Sequence, residues 1–353
     1  MVVRHVTLRD FRSYARLDLD LEPGLVLVTG ANGAGKTNLL EAVHVALQGF
    51  SPRTRHDAQL VRKDADVALV KLDGVQETVR FETSVRLARG EPRTLTVNGA
   101  RVASGDALRS RFGVLAFTPD RLAVVKAGPA TRRAYFDRVL ARLFPARARL
   151  PLDYATAVGQ RGAALRRVAA ARSTPDAIAP WTAQLAELGE ALVVARRDAS
   201  DALAPAFEAC AVELGLPDAR LLYEGEPATV EELEARLDRD IERGTTSLGP
   251  HLHDYVLLSG DRDLRLYGSQ GEQRLTVLSL LLAEAEVIAG RGEPAPLLLL
   301  DDALSELDRT RRKILSERLG RVGQTIVTAT GAEALPLAPA QLLEVRPGEV
   351  RAA

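Results

Sequence analysis

The sequence holds one cysteine, one methionine and one tryptophan, and aromatic residues make up only 4% of its 353 positions. A lone thiol, Cys210, excludes an internal disulfide. Five histidines without further thiols leave no ligand set spaced for structural zinc. No uncharged apolar run reaches the length of a membrane span, since the most apolar segment, residues 277–289, carries Glu284 and Glu286. Residues 1–5 contain no apolar signal core, so a cytoplasmic location is expected. Net charge is absent as well, 47 basic residues balancing 47 acidic ones. With 46% hydrophobic and 27% charged residues, the composition is that of a globular chain long enough for two lobes of ordinary size.

The neutral total conceals a split along the chain. Residues 121–172 hold twelve Arg/Lys against two Asp/Glu, whereas residues 198–242 hold thirteen acids against three bases. Two readings stand. The stretches solvate and pair with each other, or the basic one offers a face to phosphates.

Residues 2–8, 17–21 and the apolar run 25–29 read as strands, the last ending at Gly30. Residues 67–72 and 78–87 alternate, and 95–97 runs into Asn98-Gly99, a type I′ hairpin signal. From Pro129 onward, Ala/Arg/Leu segments at helical spacing (134–143, 154–171, 183–203) are separated by prolines. Thr229 and Glu232 fit a capping box, and Gly244 is a stop for the helix they open. Strands are expected again at 255–258, 264–267, 297–300 and 324–329, with helices at 271–288 and 308–319. Short, wholly apolar strands flanked by helices suit central positions covered on both faces. The expected fold class is α/β, with residues 1–122 and 243–353 forming one discontinuous lobe and residues 123–242 a helical lobe inserted into it.

Gly30-Ala31-Asn32-Gly33-Ala34-Gly35-Lys36-Thr37 matches G-x-x-x-x-G-K-[ST] between an apolar strand and a helix that begins near Asn38. Small residues let backbone N–H groups wrap the phosphates of ATP at a helix N-terminus. Lys36 is placed to reach the β- and γ-oxygens and Thr37 to hold Mg²⁺. The apolar run 297–300 ends in Asp301-Asp302. At the carboxyl edge of an α/β sheet, Asp301 is placed to hold Mg²⁺ beside Thr37, and Asp302 to polarise the attacking water. Lys36 and Asp301 are separated by 265 positions, so a domain must lie between them.

Two further segments complete a recognisable order. Gly268-Ser269-Gln270-Gly271-Glu272-Gln273 resembles the signature loop of ABC-type ATPases, and Ser305-Glu306-Leu307-Asp308 resembles their D-loop. The order resembles the ATPase heads of the SMC and Rad50 proteins, with a helical insertion in place of a coiled coil. Asn32, the run Thr37-Asn38-Leu39-Leu40-Glu41-Ala42, Gly128-Pro129 with Arg132-Arg133, Gly249-Pro250-His251 with Asp254, and Leu300-Asp301-Asp302 bring it closer still to the RecF family of recombination mediators. The resemblance covers nearly the whole chain. It departs from the transporter pattern at Gly268, Gln270 and Asp302, and Val327-Thr328-Ala329-Thr330 stands where a histidine would follow the last strand. No glutamine loop is apparent.

The resemblance implies an ABC-type ATPase head with an antiparallel β-subdomain. In it the signature loop of one copy (Ser269, Gln270, Gly271, Glu272) closes on ATP and Mg²⁺ held by another copy, so that ATP binding makes a homodimer. It implies binding to double-stranded and gapped DNA, weak DNA-stimulated hydrolysis, and recombinase loading with RecR and, indirectly, RecO and RecA. The alternative is a nucleotide-bound scaffold for which hydrolysis is not central. A transporter motor is disfavoured by the missing histidine and glutamine loops.

Among the remaining residues, Arg12 resembles an arginine near the nucleotide of related heads, surface solvation being the other reading. Arg132, Arg133 and Arg138 are candidate DNA contacts. The first two lie about 100° apart on a helix, so that one faces DNA while the other pairs with Asp137. His251 and His253 share a strand face, but no third ligand accompanies them and ordinary strand histidines are expected.

Overall fold

In the computed structural model, which describes residues 1–353, the strands form three sheets, one of them the small sheet of Arg262–Asp263, Asp254–Ser259 and Ala219–Glu224. The chain runs through β1 (Val2–Phe11), β2 (Tyr14–Asp20), β3 (Leu25–Thr29), α1 (Lys36–Gln48), β4 (Val67–Gln76), β5 (Val79–Ala88), β6 (Thr94–Val97), β7 (Ala100–Arg101), α2 (Gly105–Arg109) and β8 (Val114–Phe117). It continues through α3 (Ala123–Lys126), α4 (Pro129–Leu143), α5 (Leu150–Ala169), α6 (Ala179–Glu213), β9 (Ala219–Glu224), α7 (Val230–Glu234), α8 (Leu237–Arg243), β10 (Asp254–Ser259), β11 (Arg262–Asp263), α9 (Leu264–Tyr267) and α10 (Gln270–Gly290). It closes with β12 (Leu297–Leu300), α11 (Arg309–Leu319), β13 (Thr325–Thr328), β14 (Gln341–Arg346) and β15 (Glu349–Ala352).

Two compact units result. The first comprises Met1–Arg121, Glu213–Gly215 and Ile288–Ala353. Its antiparallel sheet has the order β2-β1-β4-β5-β6-β7, and its second sheet the order β15-β14-β3-β13-β12-β8, parallel except for the edge strand β15. β3, β8, β12 and β13 are buried at every position, as strands covered on both faces must be. Helix α1 joins one core with both sheets, and its last ten residues, from Leu39 to Gln48, are all buried. Asn98 takes a left-handed φ of 50° in the β6–β7 turn, as type I′ geometry requires.

The second unit comprises Leu122–Val212 and Leu216–Val287. Residues 243–287, expected with the phosphate loop, therefore belong with the helical segments. The cause is pairing: β10 is antiparallel to β9 from Asp254↔Glu224 to Ser259↔Ala219, and Glu284 of α10 takes an ion pair from Arg142 of α4. The basic and acidic stretches partly pair here, Arg161 of α5 reaching Asp240 at 2.7 Å with both side chains fully buried. Residues 264–267 form a helical turn and not the expected strand, because the Asp263 carboxylate accepts the Arg265 N–H at 2.8 Å and caps it. The Thr229 capping box forms, but the helix it opens ends at Glu234, and α8 then runs to Gly244 in the left-handed conformation. No helix is long and apolar enough to cross a membrane.

Candidate nucleotide-binding site

The phosphate loop leaves β3 at Gly30, whose φ of 147° is open to glycine alone. A Cβ there would stand 2.4 Å from the Val345 carbonyl oxygen of β14. Asn32 is exposed, and the loop turns through Gly33 and Ala34 to Gly35, whose carbonyl accepts the Tyr14 hydroxyl at 3.1 Å. Lys36 and Thr37 then open α1, so the loop's N–H groups and the helix dipole face one concavity. Lys36 Nζ donates to the carbonyls of Gly30 (2.6 Å) and Ala31 (3.0 Å). Burial lowers its pKa, and Asp301 and Asp302 act against that shift. Asn38 donates to Ser13 Oγ at 3.0 Å.

β13 lies between β3 and β12, an order that no spacing in the sequence displays. Its C-terminal residue, Thr328, thereby stands between the phosphate loop and the acidic strand end. Thr328 Oγ1 donates to Asp301 Oδ1 at 2.8 Å and accepts the Asp302 N–H at 2.9 Å. Thr37 Oγ1 lies 3.0 Å from both carboxylate oxygens of the buried Asp301. Asp302 is exposed and left-handed (φ 54°), and its carboxylate accepts the Ser305 hydroxyl at 2.9 Å. Asp308 caps α11 by accepting the Arg311 N–H at 2.9 Å. Lys36, Thr37, Asp301 and Asp302 thus meet at the carboxyl edge of one parallel sheet.

Arg12 stands beside this site but spends its charge on α1. Its guanidinium is bidentate to Glu41 at 2.8 Å and donates to the Gln59 carbonyl at 2.9 Å. Glu41, buried, also takes Arg53 at 3.1 Å and Ser51 at 2.6 Å, and these partners hold its pKa down against burial. Neither Glu41 nor Thr328 was assigned a role on sequence grounds. Each lay inside a stretch already singled out, Thr37–Ala42 and Val327–Thr330.

The signature residues belong to the second unit. Ser269, Gln270 and Gly271 are exposed at the start of the 21-residue helix α10. Ser269 and Glu272 cap it reciprocally: the Glu272 N–H donates to Ser269 Oγ (3.2 Å) and the Ser269 N–H to Glu272 Oε2 (2.8 Å). The hydrogen bonds from Ser269, reinforced by Arg262, keep the Glu272 carboxylate ionised.

The candidate DNA residues divide. Arg132 is buried and bidentate to Asp254 at 2.8 and 2.5 Å, so its guanidinium is a structural tie and not a phosphate contact. Arg133 does not pair with Asp137 either, because Arg196 occupies both oxygens of that carboxylate. Arg138 is exposed. His251 and His253 bond separate tyrosines, Tyr154 at 2.9 Å and Tyr223 at 2.8 Å.

Comparison with known proteins gives a consistent picture. The family model described as RecF/RecN/SMC N terminal domain matches residues 2–349. A protein of Lachnoclostridium phytofermentans (strain ATCC 700394 / DSM 18823 / ISDg) named DNA replication and repair protein RecF is 32% identical over 342 residues, covering 94% of each chain. A protein of the same name from Anaeromyxobacter sp. (strain K) is 39% identical over 343 residues, covering 91% of this chain and 90% of its own. Among solved structures, the recombination mediator protein RecF-ATPrS in the RecFOR pathway superposes with a TM-score of 0.84 at 25% identity, covering 99% of this chain and 98% of that one.

Proposed function

The chain belongs to the RecF family of RecF/RecN/SMC ATPase heads, and on that premise we propose that it is an ATP-gated DNA clamp of recombinational repair and replication-gap processing. ATP sits with its phosphates in the loop from Gly30 to Asn38, and Lys36 leaves the loop carbonyls for the β- and γ-oxygens. Thr37 and Asp301 present a hydroxyl and a carboxylate 3.0 Å apart, a hard-oxygen pair that fits Mg²⁺ completed by phosphate oxygens and water. Bound there, the ion supplies charge neutralisation at the β- and γ-oxygens. Asp302 accepts a proton from the attacking water.

The observation that carries dimerisation is the exposed start of α10. Its N–H groups and the Ser269 hydroxyl form a second anion-binding terminus in the unit that lacks the phosphate loop. A second copy supplies this terminus to the γ-phosphate, so ATP joins the two protomers. The dimer binds duplex and gapped DNA and, with RecR, favours recombinase loading, and hydrolysis releases it. Two features support slow turnover: an aspartate stands at position 302, and its carboxylate is engaged by Ser305.

The test is fluorescence anisotropy of a labelled duplex without nucleotide, with ADP and with ATP at one salt concentration, beside light scattering for mass. Duplex binding and a doubled mass that appear only with ATP are expected. Binding indifferent to nucleotide would overturn the clamp in favour of a scaffold.

A further inference from the structure

Three guanidinium groups converge on the start of β10, and only two carboxylates serve them. Arg132 occupies both oxygens of Asp254, and Arg196 both oxygens of Asp137 at 2.8 and 2.9 Å. Arg133 is left with the His253 carbonyl, to which Nη1 donates at 2.6 Å. Burial and the neighbouring Arg196 work against its charge, and Asp254 and Asp137 work for it. Its guanidinium is thus drawn partly out of water with a backbone carbonyl as its hydrogen-bond partner, the two nearby carboxylates being engaged by other arginines.

The surroundings are built to receive an anion. The Tyr223 hydroxyl and His253 Nδ1 share a hydrogen bond of 2.8 Å. Its ring lies so close on Gly225 that a Cβ there would stand 2.0 Å from Nδ1, which pins the ring. Burial and the arginines keep His253 neutral, its pKa pushed down to about 4. Nearby, Arg197 is drawn off to the Gly225 carbonyl (2.7 Å) and Glu226 (2.5 Å). A neutral imidazole ring and the remaining edges of one arginine fork lie side by side.

We propose that Arg133, supported by His253, is a phosphodiester-binding site through which the second unit grips the backbone of duplex DNA. The planar fork matches two phosphate oxygens. The site rests on the reading of this chain as a DNA clamp.

The experiment compares the full-length chain with Arg133→Ala and Arg133→Lys in duplex anisotropy with ATP over a salt series. Arg133→Ala is expected to weaken binding about tenfold and to lower the salt slope by about one phosphate, with Arg133→Lys intermediate. The melting temperature of Arg133→Ala should stay close to the parent's, because Asp254 and Asp137 keep the hydrogen bonds of Arg132 and Arg196. Arg132→Ala, which abandons Asp254, should lower it. Unchanged affinity and slope in Arg133→Ala would overturn the proposal. Should the parent chain fail to bind duplex at all, the clamp reading fails. A pyrophosphate titration, followed by melting temperature without nucleotide, then decides the site: stabilisation lost in Arg133→Ala supports it, and none in the parent overturns it.

Discussion

Thr328 Oγ1 donates to Asp301 Oδ1 across 2.8 Å, tying the end of β13 to the acidic end of β12. Because the same oxygen accepts the Asp302 N–H at 2.9 Å, one hydroxyl sets both the carboxylate beside Thr37 and the peptide that aims Asp302.

Replacing that hydroxyl tests whether it positions the acids. Thr328→Val keeps the shape of the strand end and is expected to lower ATP turnover by about tenfold while changing nucleotide affinity little. The loss of a buried acceptor's partner should cost about 1–2 kcal/mol in urea unfolding. Steady-state phosphate release and nucleotide titration separate the two effects, and an unchanged turnover would remove Thr328 from the mechanism.

Lys36→Met removes the cation that the proposed site would bring to the phosphates. Nucleotide affinity is expected to fall by at least about a hundredfold, and ATP-dependent duplex binding should vanish with it. Isothermal titration with ATP and with ADP is the direct check. A variant that still bound ATP tightly would place the phosphates elsewhere.

Two substitutions divide dimer formation from dimer release. Ser269→Arg sets bulk and charge at the exposed start of α10, so ATP should still bind each protomer while the mass by light scattering stays that of a monomer. Asp302→Asn keeps the loop but weakens the base, and an ATP-dependent dimer that persists several times longer is the expected result. A Ser269→Arg dimer of normal affinity would place the interface away from the signature loop.

Acid should weaken the first unit through His44. Its ring is buried, with Nδ1 donating to the Phe50 carbonyl at 3.0 Å, and burial pushes its pKa down to about 4. The unfolded chain, titrating near 6.5, binds the proton more readily between those values, so stability is full above about pH 6.5 and falls toward pH 4. Unfolding free energies from urea titrations at neutral pH and near pH 5 should differ by about 2 kcal/mol in the parent and by clearly less in His44→Gln. Equal losses in both chains would assign the acid sensitivity to other groups.

The strand, glycine-rich turn and helix around Lys36 were legible because their signals are local. Glycines, a lysine and a threonine at fixed offsets between an apolar strand and a helix suffice to define them. Asp301-Asp302 was legible for the same reason, as a buried strand that ends in two acids. The fate of the arginines was not. Arg132 and Arg133 are neighbours on α4, yet Arg132 is consumed by Asp254, 122 positions away, while Arg133 is left without a carboxylate. Nothing local distinguishes them, since each depends on which carboxylates other segments bring.

Residue pattern alone determined the α/β class, the glycine-rich turn between β3 and α1, the acids that follow β12 and the order of the motifs, because strand period, turn chemistry and helix capping act over a few residues. Tertiary structure decided that β13 separates β3 from β12, that Thr328 bridges the acids, that residues 243–287 join the helical unit, and which charges cancel. Those outcomes depend on strand neighbours and ion pairs between distant segments, whose energies exist only once the chain has closed on itself.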